Sequence, residues 1–366
     1  MTEPQIPLFR VSMPPRDELM PRLERVLYSG MIGEGEEVRR FEERFGAWLG
    51  GRPVLSFASG TVALHTALMM AGVKAGDEVI STAMTAEPTN MAIKHCGAEI
   101  VWADVDPMTG NLDPASVAAA MTPRTRAIIV VHYGGMPADL DRLRQVAADA
   151  GVVLIEDAAH ALGARHRGLP IGGSGAMTMF SFQAIKHMTT VDGGMLAIDD
   201  PERLAEGRRL RWFGIDRQQD RLTVEVAEVG YKYHMNNVTA AIGLAQMDHI
   251  DGVIARHIDN GRYFDRALAQ MPGLTPSPHP AHVEPSYWFY TVLAERSGDL
   301  QRALAASGIA SSKIHRRNDL HPVFASSRRP LPGLDRFWES ALHIPCGWWV
   351  DDVARERIVA ALRKGW

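Results

Sequence analysis

The position of Lys186 in this 366-residue chain is typical of a reactive amine. It lies in the stretch FSFQAIKHMTTVDGGM (180–195), just past an apolar run and among small polar residues. A lysine buried at the end of a strand loses part of its positive charge, because burial disfavours the ammonium form, and a neutral amine can attack a carbonyl. A solvated surface lysine is the alternative, so the rest of the sequence must supply a reason for an amine here.

Two further groups could act with this lysine. Ser59-Gly60-Thr61 opens a helical pattern, and the free N–H groups of a helix N-terminus attract anions, although a plain helix cap is the alternative. Asp157 ends another apolar run, where it could also cap a helix. A phosphate site, a carboxylate for a ring nitrogen and an amine for an aldehyde are the three requirements of pyridoxal phosphate. We therefore predict that cofactor.

An alternation of strands and helices positions these residues. Between residues 53 and 195 short apolar runs alternate with helical patterns, and residues 127–131 are a β-branched run typical of a parallel strand covered on both faces. This predicts an α/β fold with a mostly parallel central sheet covered by helices, and ligands at the carboxyl ends of its strands.

The two ends of the chain are predicted to differ from this central part. Residues 1–30 contain several prolines and are interpreted as a lead-in to the fold. A long helix over about residues 248–270 is expected to lead into a smaller α+β domain. We therefore predict a large cofactor-binding domain over residues 1–250 and a small C-terminal domain over residues 251–366.

Composition argues against several classes of function. Lys and Arg total 39 against 43 Asp and Glu, and the resulting charge of −4 disfavours a nucleic-acid binder. No apolar run approaches the length of a membrane span, and the N-terminus shows no signal-peptide pattern. Cys96 and Cys346 are too few for a disulfide framework or a metal site, so we expect a cytoplasmic protein without a metal.

The sequence resembles the DegT-type nucleotide-sugar aminotransferases, a family of fold-type I pyridoxal phosphate enzymes. The matching stretches run over most of the chain and are SGTVALHTAL (59–68), TPRTRAIIVVHYGG (122–135), LIEDAAHALGA (154–164), the Lys186 stretch, GYKYHMNNVTAAIGLAQM (230–247) and, more weakly, LHIPCGWW (342–349). The resemblance implies a ping-pong transfer of an amino group from an amino acid, expected to be L-glutamate, to a keto-deoxysugar nucleotide in polysaccharide biosynthesis. It also implies a homodimer with shared active sites.

The resemblance further implies roles for individual residues. Lys186 would form the aldimine with the cofactor and shuttle a proton, Asp157 would pair with the pyridine nitrogen, and His160 would lie near the phenolic oxygen. The remaining cofactor-binding residues would be Ser59, Gly60, Thr61, Thr85, Ser181 and Lys232. The segment GYKYHMN (230–236) would cross to the partner subunit. Many members have Asn where this chain has Lys232, which could pair with the phosphate across the dimer or be a surface lysine.

The predicted substrate side rests on weaker patterns. The stretch TAMTAEPTN (82–90) has no aromatic residue to stack on the cofactor ring, so Thr85 or Glu87 would occupy that region. The loop 311–322 could bind the sugar or its diphosphate, and a solvated basic loop is the alternative. The predicted substrate-binding residues are His187, His315, Arg317, Asn318 and His321, with Arg211 and Arg217 as further candidates.

Two other functions stay open at this point. The acceptor could be a keto-cyclitol or another small ketone, or the chain could be a non-catalytic regulatory relative. A regulatory relative would be expected to have lost Lys186 or Asp157, and both are present. A dehydratase relative has His in place of the aldimine lysine, whereas this chain keeps Lys186 next to His187, which favours transamination.

Overall fold

The computed structural model describes residues 5–217 and 219–366. The elements of its first half are α1 (Arg16–Leu27), α2 (Glu36–Trp48), β1 (Val54–Phe57), α3 (Gly60–Met70), β2 (Glu78–Thr82), α4 (Glu87–His95), β3 (Glu99–Ala103), α5 (Pro114–Ala120), β4 (Thr125–Val131), α6 (Leu140–Ala150), β5 (Val153–Asp157), β6 (Arg165–His166), β7 (Leu169–Pro170), β8 (Met177–Ser181) and β9 (Gly194–Ile198). The later elements are α7 (Pro201–Leu210), α8 (Asn237–Gln246), α9 (Ile250–Leu268), β10 (Leu274–Pro276), β11 (Val283–Glu284), β12 (Tyr290–Ala294), α10 (Ser297–Ala306), α11 (Pro332–Ser340), β13 (Ala341–Ile344) and α12 (Asp352–Arg363).

A seven-stranded sheet in the order β1-β9-β8-β5-β4-β2-β3 forms the centre of the fold. All neighbouring strands are parallel except β9, which pairs antiparallel with both β1 and β8. Every residue of β1, β2 and β9 is buried, because helices cover both faces of the sheet. The predicted mostly parallel sheet is therefore confirmed.

Two apolar cores lie on opposite faces of this sheet. Successive residues of a strand point to opposite faces, so Val54 and Leu55 of β1 belong to different cores. The core around Leu55 includes Leu68 of α3, whereas the core around Val54 includes Phe45 of α2. The carboxyl ends of the parallel strands are thus held between two packed layers, which fixes the positions of the residues that follow them.

The C-terminal part has its own sheet and core. Strands β10, β12 and β13 form an antiparallel sheet, and Phe264 of α9 and Leu304 of α10 pack against it. The first described residues join this part, since Ile6 pairs with Ile309 and the Trp349 Nε1–H donates to the carbonyl of residue 7 (2.9 Å). The division into domains at residue 250 stays a prediction.

The lead-in over residues 1–30 contains a helix that was not predicted, α1. Pro21 lies inside this helix and removes one backbone hydrogen bond. Leu19 and Leu23 pack against Ile242 and Ala245 of α8, and this tertiary contact offsets the lost hydrogen bond. No helix in the described part of the chain is long and apolar enough to span a membrane.

Candidate active site

The carboxyl ends of the parallel strands bring several predicted residues to one edge of the sheet. Asp157 is the last residue of β5, Ser181 is the last residue of β8, and Ser59 follows β1 directly before α3. β5 and β8 are paired, with Asp157 opposite Met179, and Lys186 follows β8 in the next loop. The carboxylate, the helix N-terminus and the lysine therefore share the edge at which such sheets bind ligands.

The amine of Lys186 lies against an aromatic side chain. Its Nζ is 3.8 Å from the centre of the Trp288 ring, and the residue is half-buried. Burial lowers the pKa of Lys186 from 10.5 to about 7, and the Asp157 carboxylate opposes this change. Much of the amine is thus neutral near pH 7, which makes it a competent nucleophile toward an aldehyde.

Asp157 is a buried carboxylate held by two hydrogen bonds. Its Oδ2 accepts from the Thr89 hydroxyl (2.8 Å) and its Oδ1 from the Ala159 N–H (3.0 Å). Burial raises the pKa of Asp157, and these hydrogen bonds and Lys186 counteract only part of that rise. A cation placed beside this carboxylate would be stabilised. Thr89 was not predicted, although it lies one helical turn after Thr85, whose hydroxyl is 3.1 Å from its own.

The start of α3 can hold an anion. Ser59 caps this helix by accepting from the Val62 N–H (3.4 Å), so the cap and the anion-site interpretations of this turn coexist. A Cβ atom at Gly60 would lie 3.2 Å from the Ser181 Cβ, which shows how closely Ser181 approaches the helix start. Thr61 lies half-buried in the first turn. The free N–H groups and the positive dipole end of α3 thus lie beside the Ser181 side chain.

His160 lies in a stack of aromatic rings. The centre of its ring is 4.0 Å from the centre of the Trp288 ring and 5.6 Å from that of the His315 ring. Both of these rings are nearly parallel to it. The Gly134 N–H donates to His160 Nδ1 (3.4 Å), so the proton of the neutral ring is on Nε2. Burial, followed by the nearby Lys186, lowers the pKa of His160 well below 6.5, so the ring is a neutral donor.

Trp288 was not predicted as a site residue. Its Nε1–H donates to the Ile185 carbonyl (2.8 Å), which ties it to the loop that carries Lys186, called the lysine loop below. Tyr287 before it and Ile314 before His315 both have a positive φ, +46° and +62°, which is costly for side chains of this kind. Strained residues thus precede two members of the stack. The aromatic run SYWFY (286–290) was the signal available in the sequence.

His187 is a backbone anchor in this structure, in contrast to its predicted contact with substrate. It is 2% exposed, and its Nε2 is 3.0 Å from the Ser286 carbonyl. Its ring is 4.5 Å from that of His257, whose Nδ1 is 2.8 Å from the Tyr287 carbonyl. Burial lowers the pKa of both histidines, that of His257 to about 4, so each is neutral and donates to a carbonyl of the strained segment.

The arginines predicted to bind anions are paired with carboxylates of the protein itself, so their contact with a substrate anion stays a prediction. Arg317 forms a two-point contact with Asp319, from Nε to Oδ1 (3.0 Å) and from Nη2 to Oδ2 (2.8 Å). Arg211 and Arg217 both pair with Glu34, at 3.0 and 3.2 Å. These last two line a cavity of about 700 Å³ between α2 and α7, which contains none of the residues around Lys186.

Asn318 and His321 connect elements of the protein to one another. Asn318 is fully buried, donates to the Thr85 carbonyl (2.8 Å) and accepts from the Asn90 amide (2.8 Å). The His321 Nε2 lies 3.2 Å from the Glu87 Oε1. The amide of Asn318 thus has protein partners on both sides, and its position explains how the C-terminal loop is held against the end of β2.

Three polar groups near these elements keep donors or acceptors available. The buried Nε2 of His315 has no hydrogen-bond partner among the described residues. Arg316 beside it is exposed and has no ion-pair partner in residues 5–217 and 219–366. Lys232 is exposed, and its backbone pairs with that of Trp212. His315, Arg316 and Lys232 are therefore available, among the described residues, for contact with a ligand or another subunit.

Comparisons with known proteins identify the family and the fold. The model of the DegT/DnrJ/EryC1/StrS aminotransferase family matches residues 15–363. A sugar aminotransferase from Micromonospora echinospora is 39% identical, with a TM-score of 0.94 over 99% of this chain and 100% of that one. DesV of S. venezuelae, solved in complex with a ketimine intermediate, is 30% identical, with a TM-score of 0.92 over 99% and 98%. A Streptococcus pneumoniae protein solved in a PLP form is 26% identical, with a TM-score of 0.90 over 98% of both chains.

The family match includes every element that positions Lys186, Asp157 and the start of α3. The fold-type I architecture and the pyridoxal phosphate cofactor expected from the sequence are thereby confirmed. This chain belongs to the DegT/DnrJ/EryC1/StrS aminotransferase family and is a pyridoxal phosphate-dependent transaminase.

Proposed function

We propose that this transaminase transfers an amino group from L-glutamate to a keto-deoxysugar carried on a nucleotide. The observation that carries the proposal is the half-buried amine of Lys186, with a pKa lowered to about 7, at the same sheet edge as Asp157 and α3. The sugar as acceptor is supported by the Micromonospora echinospora relative, which is described as a sugar aminotransferase. The nucleotide and the glutamate rest on the family resemblance of the sequence.

The residues at this edge fit pyridoxal phosphate. Asp157 is a buried carboxylate whose raised pKa reflects uncompensated burial, and a protonated ring nitrogen beside it would supply the missing charge. The start of α3 and the adjacent Ser181 provide N–H and hydroxyl donors for the phosphate. Lys186 provides the amine for the aldehyde. When bound, the cofactor supplies an electron sink that allows a C–H bond to break at the carbon bearing the amino group.

We assign the proton movements to two side chains. The Nζ of Lys186 has a pKa near 7, so it can take a proton from one carbon and return it to another at neutral pH. Trp288 covers this amine and limits its contact with water. The Nε2–H of His160 faces away from Gly134 and can donate to an oxygen of the bound cofactor. The hydrogen bonds from Thr89 and Ala159 fix the orientation of the Asp157 carboxylate.

We assign the recognition of the sugar nucleotide to the loop 311–322. A diphosphate requires cations, and Arg316 is exposed and unpaired among the described residues, whereas Arg317 is held by Asp319. The unpartnered Nε2 of His315 lies next to the ring of His160 and can bond a sugar hydroxyl. A direct contact with Arg317 would require its ion pair to open.

We also propose that two copies of the chain share their active sites. Two segments, 27–32 and 213–229, carry exposed apolar side chains, which we propose form one surface and call the apolar face: Leu27, Tyr28, Met31, Ile32, Phe213, Leu222, Val226 and Val229. Asn237 donates to the Met31 carbonyl (2.7 Å) and the Phe213 N–H donates to the Tyr231 carbonyl (3.1 Å), so these segments lie together. Apolar groups in such number on one surface indicate a protein interface. Lys232 belongs to the same region and would reach the partner's phosphate site.

A panel of keto compounds tests the proposed function. Protein loaded with pyridoxal phosphate is expected to be yellow, to lose that colour on addition of L-glutamate and to regain it with a keto-sugar nucleotide. Lys186→Ala should form no covalent link to the cofactor that borohydride can trap, and it should transfer no amino group. Recovery of colour with keto-cyclitols or small ketones, but with none of the keto-sugar nucleotides, would show that the proposed acceptor is wrong.

A further inference from the structure

We propose that Asp141, His166 and His282 form a zinc-binding site on the surface of the protein, separate from Lys186. Each residue offers one ligand atom, and the three atoms lie within 4.8 Å of one another. Asp141 is in the first turn of α6, His166 is in β6, and His282 directly precedes β11. Two imidazoles and a carboxylate are a donor set that zinc prefers over magnesium or calcium.

The geometry of His166 is the main reason for this assignment. The residue is 6% exposed, and its buried Nε2 has no hydrogen-bond partner among the described residues. The Asp141 Oδ2 lies 3.6 Å from that nitrogen, which is too long for a hydrogen bond. Two ligands of one tetrahedral zinc ion, with bonds of about 2.0–2.1 Å, lie about 3.4 Å apart. The gap therefore suits two ligands of one ion better than a hydrogen-bonded pair.

Another histidine–carboxylate pair of the chain shows the ordinary alternative. His249 and Glu18 are both partly exposed, and the distance between Nε2 and Oε2 is 2.7 Å. That pair is a direct hydrogen bond with no space for an ion between its atoms. His249 therefore provides a matched control for the longer contact at His166.

Backbone hydrogen bonds hold the two histidine ligands side by side. β6 pairs antiparallel with β11, with His166 opposite Val283. The Arg167 N–H donates to the His282 carbonyl (2.7 Å), and the two imidazole centres are 5.4 Å apart. Ligands carried by paired strands need little rearrangement to bind an ion.

Arg167 supports the carboxylate ligand from outside. Its Nη2 lies 2.6 Å from the Asp141 Oδ2, and its Nε lies 3.0 Å from the same oxygen and 3.2 Å from Oδ1. An ionised carboxylate has about four acceptor positions, so it can accept from a guanidinium and also bind a metal. Metal-binding carboxylates are commonly oriented by such hydrogen bonds. With three protein ligands, the fourth position of the ion would be left for water.

The position of the site indicates what bound zinc would do. α6 covers the large sheet, whereas β11 lies in the chain segment after α9, so an ion would link two distant parts of the sequence. None of the three ligands belongs to the residues around Lys186. The expected effect is therefore on the stability of the folded protein, with the transamination chemistry unchanged.

Calorimetric titration of metal-free holoenzyme with Zn²⁺ tests this proposal. We expect one equivalent to bind in the micromolar range and the unfolding temperature to rise by several degrees. Asp141→Asn and His282→Asn change exposed side chains and should each weaken binding at least about tenfold. This corresponds to about 1.4 kcal/mol or more. His249→Asn should bind zinc as the unaltered protein does.

Cobalt provides an independent readout of the coordination. Co²⁺ added to the holoenzyme should give intense visible bands typical of tetrahedral coordination, and His166→Asn should abolish them. The proposal is overturned if the unaltered protein binds no Zn²⁺, or if Asp141→Asn and His282→Asn bind it as tightly as His249→Asn.

Discussion

The pKa of Lys186 is set by two opposing effects of its surroundings. Burial against Trp288 and the neighbouring rings disfavours the ammonium form and lowers the pKa from 10.5 to about 7. The Asp157 carboxylate favours the ammonium form and raises the pKa. Burial is the larger effect, and this balance makes the amine a usable nucleophile and proton carrier at neutral pH.

The rate at which cofactor-free protein captures pyridoxal phosphate should therefore depend on the ionisation of Lys186. We expect the rate to rise as the pH passes about 7 and to level off above it, because the neutral amine is the reacting form. Asp157→Asn removes the charge that raises this pKa, so its profile should move to lower pH. Stopped-flow absorbance measures both midpoints. A rate that keeps rising toward pH 10.5 would show that the amine is solvated.

Trp288→Leu tests the role of the ring that covers the Lys186 amine. Trp288 and Trp102 are both almost completely buried, and replacing either with leucine should cost roughly 2–4 kcal/mol of stability in urea unfolding. Only Trp288 covers Lys186, so only its replacement should admit water to the amine and move the capture profile to higher pH. An equal shift of the pH profile in Trp102→Leu would mean that general loosening of the fold, and not the loss of the Trp288 ring, is responsible.

At the scale of elements, the segment before β12 places Trp288 against Lys186. His187 and His257 donate to the carbonyls of residues 286 and 287, on either side of a strained backbone position. A Cβ atom at Gly261 of α9 would lie 2.3 Å from the ring of Tyr287, so only glycine leaves space for that ring. The strain at Tyr287 is thus maintained by α9 and by the lysine loop, and it aims Trp288 at Lys186.

Asn318 is expected to act by joining elements. Asn318→Ala would leave the Thr85 carbonyl and the Asn90 amide without their buried partner, at a cost of about 1–3 kcal/mol in urea unfolding. Asn318→Asp keeps the acceptor for Asn90 but loses the donor to Thr85, and provides the control. A raised KM for the sugar nucleotide in Asn318→Ala, with unchanged stability, would instead support the direct substrate contact predicted from the sequence.

At the scale of the whole molecule, the apolar face predicts the assembly. Val229→Glu places a charge on this face and should convert a dimer into monomers with little transaminase activity, since Lys232 would no longer meet a partner. Val353→Glu is the matched control, because Val353 is similarly exposed, at 74% against 79%, but lies on α12 outside the apolar face. Light scattering after size-exclusion chromatography measures the mass. A Val229→Glu protein of unchanged mass and activity would contradict the shared site.

The large sheet and the sheet edge at which Lys186 lies could be predicted because their signals are local in the sequence. Apolar runs and turn residues gave β4, α6 and the start of α3 to within a few residues. α1 was missed, since Pro21 and a polar sequence hide a helix whose stability comes from packing on α8. The ion pair of Arg317 with Asp319 was not predicted, because a basic sequence run does not show which of its arginines is paired within the protein.

The sequence alone determined the alternation of strands and helices between residues 53 and 198, the residues at the ends of those strands and, through its motifs, the family. Chain order places Asp157 and Ser181 at one edge, because parallel strands end on the same side of a sheet. Only the tertiary structure decided that Trp288 and His315 close over Lys186 and His160, and that His166 meets Asp141 and His282. These contacts join residues far apart in the chain, and their distances depend on packing between layers, which no local pattern encodes.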